Sequence, residues 1–133
     1  MKLGYTIIYV TDVPATVAFY ETAFGLKQRF MHDSKTYAEM ETGATALAFA
    51  DESAVELNGL AVAPNRSGAL AAAWEICLIP DDVLTAFDRA IEGGATPVAA
   101  PQQKPWGQTV AYLRDLNGCI VELASEIDGD NLG

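Results

Sequence analysis

The chain has 133 residues, 50% of them hydrophobic and 20% charged, which is enough apolar material for one compact domain and excludes disordered, collagenous and disulfide-scaffold classes. Eight Lys and Arg stand against eighteen Asp and Glu, a formal charge of −10 that repels phosphate backbones and anionic lipid, so neither nucleic acid nor a membrane surface is an expected partner. No apolar run approaches the ~20 residues of a membrane span, and Met1-Lys2-Leu3 leads into a strand-like stretch instead of a signal sequence, which reads as a cytoplasmic protein.

Tyr5 to Val13 is a β-branched and aromatic run that ends in Asp12-Val13. Beyond it, Val13, Val17, Tyr20 and Phe24 recur at helical spacing as far as Gly25, with Pro14 at the start, predicting a helix over 13–24. Three strand-like pieces follow at 26–31, 35–42 and 44–50, the last two joined by Glu41-Thr42-Gly43. Residues 51–73, rich in Ala, Gly and Asn with Pro64, read as a connecting arm with little core of its own.

The pattern then repeats. Glu75 to Val83 matches Tyr5 to Val13 at an offset of 70 positions and again ends in Asp-Val. Val83, Phe87 and Ile91 form the second helical stripe, over 82–92, closed by Gly93-Gly94. Strand-like pieces at 96–100, 108–114 and 119–125 complete the copy, with Asp115-Leu116-Asn117-Gly118 as the last turn. Each helix is expected to open on an acidic first turn and to end in a left-handed glycine. The chain is therefore read as α+β: two β-α-β-β-β units, 4–50 and 74–125, within one domain of residues 1–126, followed by an acidic tail at 127–133. Cys77 and Cys119 lack CxxC spacing and are read as reduced, packed thiols.

Several residues carry a family resemblance. The tandem unit, Tyr9-Val10-Thr11-Asp12 leading into Ala18-Phe19-Tyr20 and Phe24-Gly25-Leu26, Tyr37 to Gly43, and above all Pro105-Trp106-Gly107-Gln108 running to Arg114-Asp115-Leu116-Asn117-Gly118-Cys119-Ile120-Val121-Glu122-Leu123 resemble the vicinal oxygen chelate superfamily of glyoxalase I, bleomycin-resistance proteins and extradiol dioxygenases. The resemblance implies a cup-shaped mixed sheet, in which two half-barrels face one another across a small-molecule site, and it implies a homodimer. It also implies four metal-ligand positions, which fall at Tyr5, Glu75, Glu122 and Leu47, or at Ala46 or Ala48 if the register slips by one. Two of these carry plausible ligands, Glu75 and Glu122, which are the candidate metal-ligating and catalytic residues.

Two carboxylates and a neutral phenol are a poor donor set for Fe or Zn, which take imidazole or thiolate, and a better one for Mg or Mn with water ligands; the cofactor reading is none, with a divalent metal such as Mg, Mn, Ni or Zn as the alternative. Glu39 and Glu41 share a strand face with Tyr37 by the period of two, so one of them is a candidate for entering the cavity and the alternative is a solvated face. His32, in Met31-His32-Asp33-Ser34, reads as exposed. Glu122 on an apolar strand needs a compensating group; a structural ion pair with Arg114 or Lys104 is the bland alternative to a ligand site. If Glu75 and Glu122 share a cavity, repulsion should raise one pKa and set a neutral acid beside an ionised base. Trp74, Trp106, Tyr5 and Glu39 are candidate ligand-binding residues, the tryptophans because indole stacks on flat or cationic molecules, and packing is the competing reading for both.

No Gly-rich phosphate loop, Ser-His-Asp set or zinc-ribbon spacing is present in the sequence. The preferred reading is a bleomycin-resistance-like protein that sequesters a cationic or aromatic compound with an incomplete metal site. A divalent-metal lyase, isomerase or dioxygenase, and a structural or regulatory dimer, are the alternatives.

Overall fold

A computed structural model describes residues 1–127. The acidic tail expected at 127–133 lies, from residue 128 onward, outside the described residues. Two compact units divide the chain, the first ending at Asn65 and the second beginning at Arg66. No helix among the described residues is long and apolar enough to cross a membrane.

In the first unit the order is β1 (Tyr5–Val10), α1 (Val13–Phe24), β2 (Gln28–Met31), β3 (Tyr37–Met40), β4 (Ala46–Asp51) and a short α2 (Ser53–Leu57). The sheet runs β1-β4-β3-β2, with β1 parallel to β4 and the other pairs antiparallel. Helix α1 begins where the Asp12 carboxylate accepts the Ala15 N–H at 3.0 Å and ends where Gly25, at φ 68°, passes its N–H to the Glu21 carbonyl. Val13, Val17 and Tyr20 are buried on one side of α1, and Tyr20 packs on Phe49 of β4 with ring centroids 5.0 Å apart. Ile8, Met40 and Phe49 complete this core.

The second unit repeats the plan with β5 (Glu75–Leu78), α3 (Val83–Glu92), β6 (Thr96–Gln103), β7 (Thr109–Arg114) and β8 (Ile120–Ala124), in the sheet order β5-β8-β7-β6. Strands β5 and β8 are parallel. Register rows decide which side chains share a face: Ile76, Val121 and Leu113 are partners and buried, whereas Glu75, Ile120 and Arg114 form the next row on the opposite face. The fold class and the two β-α-β-β-β units are as the sequence implied.

Four local expectations change. Asp12 and Asp82 are N-caps rather than first-turn residues, and neither α1 nor α3 has an acidic first turn; a carboxylate that bonds the free N–H groups of the helix start must sit just outside the helix. Gly93, the C-cap of α3, is right-handed at φ −78°, and Gly94 takes the positive φ of 106°. The connecting arm contains α2, one turn that leaves Leu57 exposed. Cys119 is buried as expected, but Cys77 is exposed, because it alternates with the buried Ile76.

The Asp12 cap is testable. Asp12→Ala should destabilise the protein by about 1 kcal/mol, read as a lower urea midpoint at an unchanged slope, since it removes the carboxylate that accepts the Ala15 N–H at the helix start. An unchanged midpoint would mean that water replaces the cap without loss.

Candidate functional site

On the second unit, α3 and the buried rows cover one face of the sheet, and the other face carries the polar residues. Its central row is Cys77 on β5, Glu122 on β8 and Tyr112 on β7, each the register partner of the next. Tyr112 donates its hydroxyl to Glu122 Oε1 at 2.7 Å and Cys77 donates its thiol to Oε2 at 2.8 Å, so each carboxylate oxygen accepts one hydrogen bond from a neutral donor. Glu75 stands two residues before Cys77 on the same face.

Next to this row is an open depression of about 340 Å³ lined by Ala73, Trp74, Glu75, Val98, Tyr112 and Ile120. Trp74 and Glu75 reach it because the chain enters β5 there, and Val98 comes from the edge strand β6. Five of the six lining residues are apolar or aromatic without charge, and Glu75 supplies the only carboxylate among them.

Charge and partial burial act together on this face. The Glu75 carboxyl is held above its ordinary range, first by burial and then by the charge of Glu122. The direction expected of two glutamates on one face is found, with loss of water the larger cause. Tyr112 is pushed up to about 12, chiefly by its hydrogen bond to Glu122 and then by burial. Cys77 is pushed up to about 12 by desolvation of its sulfur, followed by its bond to Glu122 and the charges of Glu122 and Glu75. Both donors therefore keep their protons at neutral pH, and Cys77 is a thiol rather than a nucleophilic thiolate.

Neither Arg114 nor Lys104 pairs with Glu122 among the described residues. Arg114 donates to the carbonyls of Gly118, Arg66 and Ala69, at 2.9, 3.3 and 2.7 Å, and Lys104 opens the turn between β6 and β7. The run Asp115 to Gly118 is a structural loop: Asp115 Oδ1 accepts the N–H groups of Asn117 and Cys119. Trp106 lies in the turn before β7, donates its indole N–H to Gln108 Oε1 at 2.8 Å, and does not line the depression.

The first unit has its own open face. Ile7, Ala48 and Glu39 form the row that corresponds to Cys77, Glu122 and Tyr112, so the position equivalent to Glu122 is Ala48. Leu47, one residue earlier, pairs with Thr6 and Met40 in the row nearer the helix. The carboxylate of this row sits on β3 instead of β4: Glu39 accepts the Tyr37 hydroxyl at 2.8 Å, and Tyr37 is pushed up to about 12 by burial and then by that bond. Glu41 is engaged elsewhere, in an exposed bidentate pair with Arg29. Tyr5 is 56% exposed, and His32 is exposed, hydrogen-bonded to Ser34.

Among the described residues, no three His, Cys, Asp or Glu side chains converge to hold an ion. At the ligand positions implied by the family resemblance, the first unit offers Tyr5 and the methyl group of Ala48. The second offers Glu75 and a Glu122 already bonded by two protonated donors. That donor set does not fit Zn(II) or Fe(II).

The sequence makes neither Cys77, read there as a packed thiol, nor Tyr112 a candidate for this site. The period of two places Cys77 on the face of Glu75, and Tyr112 is the aromatic residue two before Arg114; nothing local says that either touches Glu122.

Comparison with known proteins gives one family. The model of the glyoxalase/bleomycin resistance protein/dioxygenase superfamily matches residues 2–123. No curated protein matches significantly. Among solved structures, a glyoxalase/bleomycin resistance protein/dioxygenase family enzyme from Burkholderia phytofirmans PsJN is similar at 24% identity and a TM-score of 0.79, over 94% of this chain and 98% of its own. A glyoxalase-related enzyme from Fulvimarina pelagi is similar at 20% identity and a TM-score of 0.78, over 95% and 88%. TioX from Micromonospora sp. ML1 is similar at 20% identity and a TM-score of 0.70, over 94% and 98%. At these identities the likeness is one of fold.

Proposed function

The chain belongs to the glyoxalase/bleomycin resistance protein/dioxygenase superfamily, and from that premise we propose that it is a small-molecule-binding member that takes up a cationic aromatic compound on the open face of its second unit. One observation carries the reading: a carboxylate, Glu75, and an indole, Trp74, line one depression with apolar Val98 and Ile120, a second carboxylate, Glu122, lies beside it, and neither has a basic partner among the described residues. A flat cation stacked on Trp74 gains cation–π attraction of ~0.5–2 kcal/mol and places its charge against carboxylates that water screens incompletely. The net charge of −10 adds attraction at long range.

Titration of tryptophan fluorescence with three ring systems of one size tests this. N-Methylquinolinium should bind more tightly than its neutral isostere 1-methylnaphthalene, and 1-naphthoate most weakly. The preference for the cation should shrink as salt rises and disappear in Glu75→Gln/Glu122→Gln, a change of about ten- to a hundredfold in affinity. Equal or tighter binding of the anion would exclude the reading.

A lyase or isomerase draws on a different feature, the proton held by Glu75 more tightly than by an ordinary carboxylate beside the hydrogen-bonded Glu122. Recovery of every titrated compound unchanged would count against it.

A further inference from the structure

Two carboxylates share the open face of the second unit, yet their surroundings differ in kind. Glu75 lines the depression beside Trp74, Val98 and Ile120 and has no hydrogen-bond donor of its own among the described contacts. Glu122 does not line it. Its two oxygens are held from opposite sides by residues on the neighbouring strands, Tyr112 on β7 and Cys77 on β5, at 2.7 and 2.8 Å. Three residues in one register row are spaced by the sheet itself, about 4.7–4.9 Å per strand, so the central carboxylate is pinned in one rotamer without help from a cation.

We propose that Glu75 is the residue that selects a cation at this site, and that Cys77 and Tyr112 are positioning residues which hold Glu122 in the sheet row, out of contact with the ligand. The proposal deepens the reading of this face as a ligand site and rests on it. The groups around Glu75 agree. From β8 it faces Ile120 and, diagonally, Glu122; from β7, Tyr112; from β6, Val98; and on its own strand, Cys77. Arg114, the register partner of Ile120, is the nearest basic residue by row and gives its guanidinium to three backbone carbonyls. The charge that meets a ligand is therefore that of Glu75, while Glu122, one row further along the same face, adds its negative field through space. Binding selectivity then depends on which carboxylate is free to turn, a property set by the two neutral donors.

The experiment measures the ratio of affinities for N-methylquinolinium and 1-methylnaphthalene in six proteins. The wild type should prefer the cation. Glu75→Gln should lose about tenfold or more of that preference, and Glu122→Gln less than about threefold. The decisive pair is built on Glu75→Gln. Adding Cys77→Ala frees Glu122 Oε2 and should restore part of the preference, because Glu122 can then turn toward the depression; adding Cys77→Ser keeps a hydroxyl donor and should not. A structural role for Cys77 would not distinguish Ala from Ser in this way. Loss of the preference in Glu122→Gln with retention in Glu75→Gln, or equal ratios for the Ala and Ser variants, overturns the proposal. Absence of any cation preference in the wild type fails the underlying reading instead. Circular dichroism of each variant, with Glu75→Asp as a charge-retaining control that should keep the preference, separates misfolding from loss of the contact.

Discussion

Phe49→Ala should lower the stability of the protein by about 3–5 kcal/mol, the largest effect expected of any single truncation in the first unit. Phe49 is fully buried in β4, between Ile8 of β1 and Ala38 of β3 in the register, with the Tyr20 ring against it. Its loss removes apolar contact and leaves a void, because a close-packed core relaxes only partly around a deleted ring. Its register partner on β3, Ala38, is too small to refill the space. Equilibrium unfolding in guanidinium should show the fall as a lower midpoint. Phe30→Ala is the control: Phe30 is 47% exposed on the open face, and its truncation should change stability by no more than about 1 kcal/mol. Similar losses for the two variants would mean that α1 and its sheet do not form the core described.

Gly118→Ala should cost about 2–4 kcal/mol, far more than an alanine in an ordinary turn. Gly118 has φ +88°, where a side chain is strained by itself, and a Cβ there would lie 2.5 Å from the Arg66 carbonyl oxygen and 2.6 Å from an Arg114 guanidinium nitrogen. The backbone atom cannot move without dragging the segment of residues 66–69, and moving Arg114 breaks the bonds by which it joins the Gly118, Arg66 and Ala69 carbonyls. Gly43→Ala separates the two contributions, since Gly43 has a similar φ of +93° but open space around it; only the conformational strain, about 1 kcal/mol, should remain. Thermal unfolding of the two variants side by side checks this. Equal melting temperatures would show that crowding at Gly118 is relieved without loss.

The loop around Gly118 also explains the most family-specific stretch of the sequence. Arg114 to Gly118 is rich in residues that suggest a polar site, and the structure uses them to close a hairpin: Asp115 bonds the backbone N–H groups of Asn117 and Cys119, and Arg114 gathers carbonyls. Asp115 and Asn117 are buried at 4% and 7% exposure, which is tolerable only because the loop satisfies its own polar groups. The motif marks the fold, while Glu122, just beyond it, belongs to the open face.

The sequence by itself determined the repeat, the α1 and α3 helices and most strands, because these rest on local chemistry: apolar residues at helical spacing, Asp just before each helix, and glycine where the chain must turn. It also placed Glu75 and Glu122 on strands of the second copy. What it did not determine is which side of a strand looks outward where the residues do not alternate. Ala46 to Ala50 is buried throughout, so Leu47 and Ala48 could not be told apart until pairing with Ile7 and Glu39 set Ala48 on the open face. Nor did it determine the partners of Glu122. Cys77 lies 45 residues away and Tyr112 ten, and both touch the carboxylate only because β8 runs between β5 and β7 in the sheet. An ion pair with Arg114 or Lys104 is the structural alternative that the sequence offers for a carboxylate on an apolar strand. The tertiary structure instead satisfied it with two neutral donors, since strand order and register, and not proximity in the chain, decide which side chains come within hydrogen-bond distance.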